Sequence, residues 1–426
     1  MLTREENELL CRVGGDTPMG RMLRRYWMPA LQSGALEAGG APRRVRLLGD
    51  DLVVFRAADG SVGLLDEHCP HRGASLVLAQ NVDCALQCLY HGWKIAPSGQ
   101  VLETPAEPAE STLRHKVRAR AYPTYETGGL VWAYLGPPGT EPPRLDLDCV
   151  TAPLAHVDVM QAREECNWVQ CLEGVIDSAH SNYLHANGIK PVAGDASRMR
   201  GGDLLIDRPS DDGAPRVEAE NTAYGFRYAA IRRPILDPDR NQYIRATLFV
   251  APFYGLFPAP RGLHSLQAFV PIDDEHTMFY SIQMSDAPLS DEARELRHFR
   301  SGMRPGIDLD AEFRKIRKRE NNWLQDRAAM HRGESFTGMH GVNNEDIAVQ
   351  ESMGAIYDRT KERLGTSDVA VIRMRRLMLD AVRAFESDGA APLGLAEPVA
   401  YRELRAIEKI IPHDARWQDL FEEQPA

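Results

Sequence analysis

A chain of 426 residues, 43% hydrophobic and 26% charged, can bury two or more cores, which sets the disordered and membrane classes aside. Its 50 lysines and arginines are outnumbered by 61 aspartates and glutamates, and the net charge of -11 argues against nucleic acid, whose phosphates need cations to neutralise them. The longest apolar run, ATLFVAPFYGLFPAP, is broken by prolines and falls short of the roughly 20 residues of a bilayer span; the charged start MLTREENELL lacks a secretory signal, so a cytoplasmic protein is expected.

Residues 1–35 read as a helical segment ending near RRYWMPA. Strand texture follows. RRVRLLGDDLVVFRAADGSVGLLD predicts three strands with turns at Gly49-Asp50-Asp51 and Ala58-Asp59-Gly60. With further strands around VRARAYPTYETGGLVWAYLG, this gives an all-β domain over 36–143 that ends in the proline and glycine cluster GPPGTEPP. From 144 to 426 the texture is mixed. CNWVQCLEGVIDSAHSNYLH (166–185) reads as a helix stopped by Ala-Asn-Gly, alternating segments run from about 203 to 285, and charged helices are expected near 309–332 and 368–387.

Seven cysteines, an odd number without framework spacing, suit a reducing compartment and a metal role for a few of them. Within CPHRGASLVLAQNVDCALQCLYHGW two loops each offer one cysteine and one histidine: Cys69-x-His71 and Cys88-x-x-His91. Structural zinc favours C-x(2-4)-C knuckles or an H-x(3-5)-H helix, and a Cys-x-His pair fits neither well. A Rieske [2Fe-2S] centre needs two thiolates on one iron and two imidazoles on the other, which these loops supply. Gly73 and Gly92 follow the pairs where bare amides could approach bridging sulfides. Cys84, between the loops, reads as a small buried residue, and His68 as a neighbour of the ligands.

EGVIDSAHSNYLH then places Asp177, His180 and His185 at i, i+3 and i+8. On an ideal helix His185 lies about 140° from His180, so both reach one metal only if the helix ends or distorts near His185. Two histidines and a carboxylate with open positions form the facial triad of non-haem Fe(II) oxygenases. Asp177 competes for the third position with the distant GVNNEDIAVQES, which offers Glu345 and Asp346 ahead of an alternating segment ending in Gln350-Glu351; Asp177 could equally hold the His180 imidazole from behind.

Together the C-x-H…C-x-x-H-G-W set, the NW…EG…D-x-x-H-x4-H stretch and the late ED…QE segment resemble the oxygenase α-subunit of Rieske non-haem iron aromatic oxygenases, most closely the phthalate dioxygenase branch. The resemblance implies an α+β chain: an all-β Rieske [2Fe-2S] domain followed by a helix-grip catalytic domain, a curved antiparallel sheet around a helix. It implies that Cys69 and Cys88 hold one cluster iron, His71 and His91 the other, and that His180, His185 and Asp346 hold a mononuclear Fe(II). Asp177 would then bridge His180 to a Rieske histidine of a neighbouring subunit in a trimer or in stacked trimers. Electrons would come from NADH through a separate reductase carrying FMN and a plant-type [2Fe-2S] cluster; the chain has no G-x-G-x-x-G unit of its own. The implied reaction is cis-dihydroxylation of a phthalate- or benzoate-like acid with O2, or alternatively monooxygenation or O-demethylation of an aryl ether acid.

An acid substrate calls for a cation in the pocket. Alternation in YIRATLFV puts Arg245, Thr247 and Phe249 on one strand face, and arginine suits bidentate carboxylate recognition. Arg208, in a charged stretch, and Ser178, beside Asp177, are the further substrate candidates.

Overall fold

The computed structural model describes residues 1–199, 205–260 and 262–422. The chain divides into two compact units, Val13–Leu145 with Pro271–Asp273, and Met1–Arg12 with Asp146–Val270 and Asp274–Ala426. Helix α1 (Arg4–Cys11) opens with a capping box between Thr3 and Glu6 and belongs to the second unit, where the buried Asn7 and Cys11 meet the Arg359 guanidinium. Helix α2 (Pro18–Leu23), with Thr17 as N-cap and proline in its first turn, belongs to the first.

Three antiparallel sheets build the first unit. Strand β1 (Trp27–Gln32) pairs with β10 (Leu130–Tyr134), which pairs with β9 (Thr124–Thr127). The meander β2 (Arg43–Leu47), β3 (Asp50–Arg56) and β4 (Val62–Asp66) turns first at Leu48-Gly49, both with positive φ. The last sheet joins β5 (Gln80–Val82), β6 (Ala85–Gln87), β7 (Lys94–Ile95) and β8 (Val101–Glu103). Val53, Phe55, Leu65, Leu86 and Trp93 form a core that includes Cys69 and Cys88. The segment expected to be helical over 1–35 thus holds two short helices and then a strand. Its tail WMPALQ is apolar on both faces, and pairing with β10 satisfies a backbone that a lone helix would leave packed against nothing.

In the second unit, α3 (Asp148–Thr151) leads into β11 (Val157–Glu164) and α4 (Trp168–Ile176). A small sheet of β12 (Ile189–Pro191), β13 (Arg198–Met199) and β14 (Ile206–Arg208) follows. The main sheet is made of β15 (Arg216–Thr222), β16 (Gly225–Arg232), β17 (Asn241–Val250), β18 (Tyr254–Pro258), β19 (Leu263–Pro271) and β20 (Thr277–Ser285). Its order is β11-β20-β19-β18-β17-β16-β15, and β17 also pairs with β21 (Ile407–Pro412) near the end of the chain. Helix α4 lies against β17 and β18; α5 (Asp291–Ser301), α6 (Arg327–His331), α7 (Val342–Ser352) and α8 (Val369–Asp388) complete the unit. No helix among the described residues is long and apolar enough to cross a bilayer.

Two expectations fail here. The charged helix near 309–332 is short pieces, because Phe313, Asn322, Trp323 and Leu324 take positive φ and their neighbourhood is drawn to Glu351: Arg319 donates to its carbonyl and Trp323 Nε1 to its carboxylate at 2.7 Å. The alternating segment expected after Asp346 is instead helix α7. Its buried Asn344, Ile347, Ala348 and Glu351 recur at intervals of three and four, the helical period that a short window had read as alternation.

A buried ion network clamps α4 to the later chain. Glu173 accepts from Arg359 at 2.8 and 2.9 Å and from Arg375 at 2.6 Å, and Arg375 also grips Glu362. Burial disfavours the Glu173 charge, yet Arg359 and Arg375 hold its carboxyl below the usual carboxylate range. Glu173→Gln leaves Arg359 without its carboxylate and Arg375 with Glu362 alone, and should destabilise this unit by about 3–5 kcal/mol, read as a lowered thermal midpoint against an unchanged first unit.

Candidate metal centres

Both loops of the first centre close in the same way. The Cys69 N–H donates to the carbonyl of Ala74 and the Gly73 N–H returns to the Cys69 carbonyl, at 2.8 and 2.9 Å; Cys88, Trp93 and Gly92 repeat this at 2.8 and 3.0 Å. Gly73 and Gly92 have φ of 74° and 72°, which a side chain would resist. The loops differ in where histidine falls, two residues after Cys69 and three after Cys88, and the two rings meet with centroids 4.5 Å apart. His71 also stacks on Trp93 at 4.6 Å.

Two buried sulfurs and two touching imidazoles are thus gathered at one place. Burial pushes the Cys69 thiol up to about 11, and the Cys88 sulfur adds to it. His91 Nδ1 is buried with no hydrogen-bond partner. A Cys69 thiol that resists ionisation and an orphaned ring nitrogen fit a cationic group bound to both, and an S2N2 donor set on paired loops fits a Rieske cluster. Cys84, expected to be buried, is only partly so: it packs against the core from the tight β5–β6 turn, with φ of 58°. His68 is exposed.

The second centre depends on where α4 stops. Asn167 caps its start by accepting from the Val169 N–H, and the helix ends at Ile176, well before the point the sequence suggested. Asp177 turns extended, with φ of -82° and ψ of 112°, and its Oδ1 accepts the Ala179 N–H at 2.7 Å. That local bond competes with continuing the helix. A short turn then carries His180, and His185 returns beside it with ring centroids 5.1 Å apart.

Asp346, from α7, completes the group: its Oδ1 lies 3.5 Å from His180 Nε2 and 3.2 Å from His185 Nε2. Ligand atoms of the three residues all lie within 4.8 Å of one another. The far nitrogens also face carboxylates. Asp177 Oδ2 is 3.5 Å from His180 Nδ1, and Glu345 Oε2 is 2.8 Å from His185 Nδ1, while Glu345 Oε1 accepts from the Thr337 hydroxyl at 2.7 Å. Burial opposes a charge on His185, but Asp346 and Glu345 raise it to about 9; Asp346 itself is held below the usual carboxylate range although burial works against its charge. Three carboxylates around two imidazoles carry surplus negative charge, which a divalent iron fits.

These ligand candidates share a cavity of about 360 Å3 with Arg208, Arg245 and Ser178. Arg208 is 3% exposed, donates to Ser181 and Asn182 at 3.0 Å, and keeps a buried Nε without a partner. Burial and the neighbouring Arg245 charge push its pKa down to about 9, an unfavourable state that a bound anion would relieve. Arg232, absent from the sequence reading, is 1% exposed and donates to the Ser178 carbonyl at 2.7 Å. Its strand context, YAAIRRP, marks it no differently from the exposed Arg233 beside it. Glu164, Cys166 and Cys171 also converge, fully buried, with the Cys171 thiol donating to Glu164 at 3.1 Å.

Residues 26–125 match the Rieske [2Fe-2S] domain and residues 133–424 the LigXa C-terminal domain like family. The chain is 46% identical to the phthalate 4,5-dioxygenase oxygenase subunit of Pseudomonas putida, over 98% of this chain and 94% of that protein. It is 33% identical to the 5,5'-dehydrodivanillate O-demethylase oxygenase subunit of Sphingobium sp., over 89% and 80%. The terminal oxygenase of carbazole 1,9a-dioxygenase from Nocardioides aromaticivorans IC177 shares the fold, with a TM-score of 0.56 at 19% identity over 88% of this chain and 97% of that one.

Glu345 is the residue whose effect is most specific to this geometry. Glu345→Gln keeps the shape but weakens the hold on His185 Nδ1, and iron affinity should fall roughly 10- to 100-fold, measured by competition with a chelator.

Proposed function

We propose that this chain, which belongs to the Rieske oxygenase α-subunit family, acts on an aromatic acid and converts it to a cis-dihydrodiol. It is an oxygenase component of the Rieske aromatic ring-hydroxylating class, and its cofactors are a Rieske [2Fe-2S] cluster and a mononuclear non-haem iron. The observation that carries the substrate reading is the buried cationic wall. Arg208, Arg232 and Arg245 sit together, and among the described residues their one ion pair is the 3.6 Å contact of Arg245 with Glu408. Positive charge on Arg208 and Arg245 in a cavity that also presents Phe269, Phe279 and Ile347 suits a ring bearing carboxylates, and phthalate-like dicarboxylates better than neutral arenes.

Cys69, His71, Cys88 and His91 would hold the cluster, and His180, His185 and Asp346 the iron. When bound, the cluster supplies single electrons and the iron activates O2. Asp177 and Glu345 keep Nδ1 of His180 and His185 occupied, so each ring presents Nε2 inward. Arg245 and Arg208 take the substrate carboxylate by charged hydrogen bonds, and the apolar wall excludes water from the ring. Dihydroxylation consumes O2, two electrons and two protons per ring. The electrons come from NADH through a partner reductase with FMN and a plant-type [2Fe-2S] cluster. O-demethylation of an aryl ether acid is the second reading, supported by the likeness to the O-demethylase subunit. Product masses from a panel of aromatic acids separate the two.

Arg245→Ala removes a charged hydrogen-bond donor, which typically costs about 1.5–3 kcal/mol. Binding of phthalate should weaken roughly ten- to a hundred-fold by calorimetry, and unchanged affinity in a folded variant would move the carboxylate site elsewhere.

The oligomer is a trimer, alone or stacked in pairs, in which Asp177 connects the iron of one chain to the cluster of the next. The Asp177 side chain faces His180 and is 29% exposed, so it is not sealed off from a further partner. Mixed oligomers of a Cys88→Ser chain and a His180→Ala chain test it. Each variant alone should be inactive, and activity should return in the mixture in proportion to junctions that pair an intact cluster with an intact iron. Mixed oligomers that stay inactive would place the transfer within each chain.

A further inference from the structure

We propose that Glu408 is the positioning residue that aims the Arg245 guanidinium at the substrate and so sets selectivity for acids over neutral analogues. The inference rests on the aromatic-acid reading above and adds to it a residue some 160 positions away in the chain. Strands β17 and β21 run antiparallel, and their register sets Arg245 directly opposite Glu408. Directly opposed residues on such a ladder project from the same face, so the pair meets as a consequence of the pairing itself.

The Glu408 side chain is 6% exposed, and its two oxygens do different work. Oε1 accepts from the Ser197 N–H at 2.8 Å, from the Ser197 hydroxyl and from the Tyr243 hydroxyl. Three donors fix the carboxylate plane and saturate that oxygen. Oε2 is left turned toward Arg245 Nη1, at 3.6 Å. That separation is an ion pair but too long for a hydrogen bond. Arg245 is therefore held by charge while, among the described residues, its N–H donors remain unused, and its side chain lines the cavity. Arg208 differs, since its Nη1 is already bonded to Ser181 and Asn182. Tyr243 lies two residues before Arg245, on the same face of β17, so one strand supplies both the anchor of Glu408 and the group Glu408 steers. Ser197, which also borders the cavity, ties in the segment ahead of β13.

In Glu408→Gln the amide oxygen can keep the three donors, and the amide nitrogen then confronts Arg245, donor against donor. The guanidinium loses its orientation without losing its charge. Calorimetric binding to the iron- and cluster-loaded protein tests this, with phthalate, benzoate and dimethyl phthalate as probes and with Glu408→Gln, Arg245→Ala and the double variant. Glu408→Gln should weaken phthalate about five- to twenty-fold and leave dimethyl phthalate unchanged, and the double variant should bind phthalate no more weakly than Arg245→Ala alone. In turnover, KM should rise with kcat within about two-fold, and Glu408→Asp, which restores the charge, should recover most of the affinity. Unchanged or tighter phthalate binding in Glu408→Gln, or a loss that persists in the Arg245→Ala background, would overturn the proposal. The premise fails separately: wild-type protein that binds neither acid removes the aromatic-acid reading and this inference with it, whereas an Arg245→Ala variant that binds phthalate normally moves the carboxylate site elsewhere and overturns this inference alone. Should Glu408→Gln not fold, as judged by thermal melting and the visible cluster spectrum, Tyr243→Phe removes one of the three anchors instead. It should weaken phthalate two- to five-fold only when Arg245 is present, and an unchanged affinity would count against the role of Glu408.

Discussion

Around His180 and His185 the chain gathers Asp177, Glu345 and Asp346, and a protein interior tolerates three carboxylates at such range only with positive charge among them. A proton on His185 does part of this service, which is why Asp346 and Glu345 lift that imidazole to about 9. A divalent metal answers all three carboxylates at once. The surrounding elements read as solutions to that requirement. Helix α4 stops at Ile176 so that two histidines five residues apart can face one point, and α7 contributes two successive acids. Successive residues on a helix point about 100° apart, so Asp346 meets both Nε2 atoms while Glu345 reaches round to the far side of His185.

The same cavity carries the opposite charge on Arg208 and Arg245. Isolated buried guanidinium groups are costly, and here two devices limit the cost. Arg208 is hydrogen-bonded to Ser181 and Asn182, and Arg245 is faced by Glu408. Neither device uses up the positive charge. A cation-seeking site and an anion-seeking wall within one cavity suit a substrate whose acid groups anchor it and whose ring meets the metal ligands, which is the basis of the aromatic-acid proposal.

The first unit solves a different problem, holding four donors with very little chain. Its two loops repeat one backbone design, in which cysteine, glycine four residues on and the next residue close a turn, and only the histidine offset breaks the repeat. That one-residue offset accompanies rings that meet nearly edge to face, where an identical offset would repeat the same placement in both loops.

Residue type and spacing alone determined the two metal chemistries and the all-β character of the first unit, because donor atoms and glycines act locally and are visible as letters. Spacing also showed that His180 and His185 could not share a metal on an unbroken helix. It could not show that the break comes at Ile176, since the bond from Ala179 to Asp177 that ends the helix is worth little until the turn beyond it is packed. Nor could it show α7, whose helical period hides in a short window, or the broken stretch near 320, where Glu351 draws Arg319 and Trp323 away from helix geometry. Only the tertiary structure decided that Arg208 and Arg232 are buried beside Arg245 and that Glu408 lies opposite it. An arginine reads the same in sequence whether a strand carries it toward solvent or into a cavity, and a cross-strand partner some 160 residues away exists only once β17 and β21 have paired.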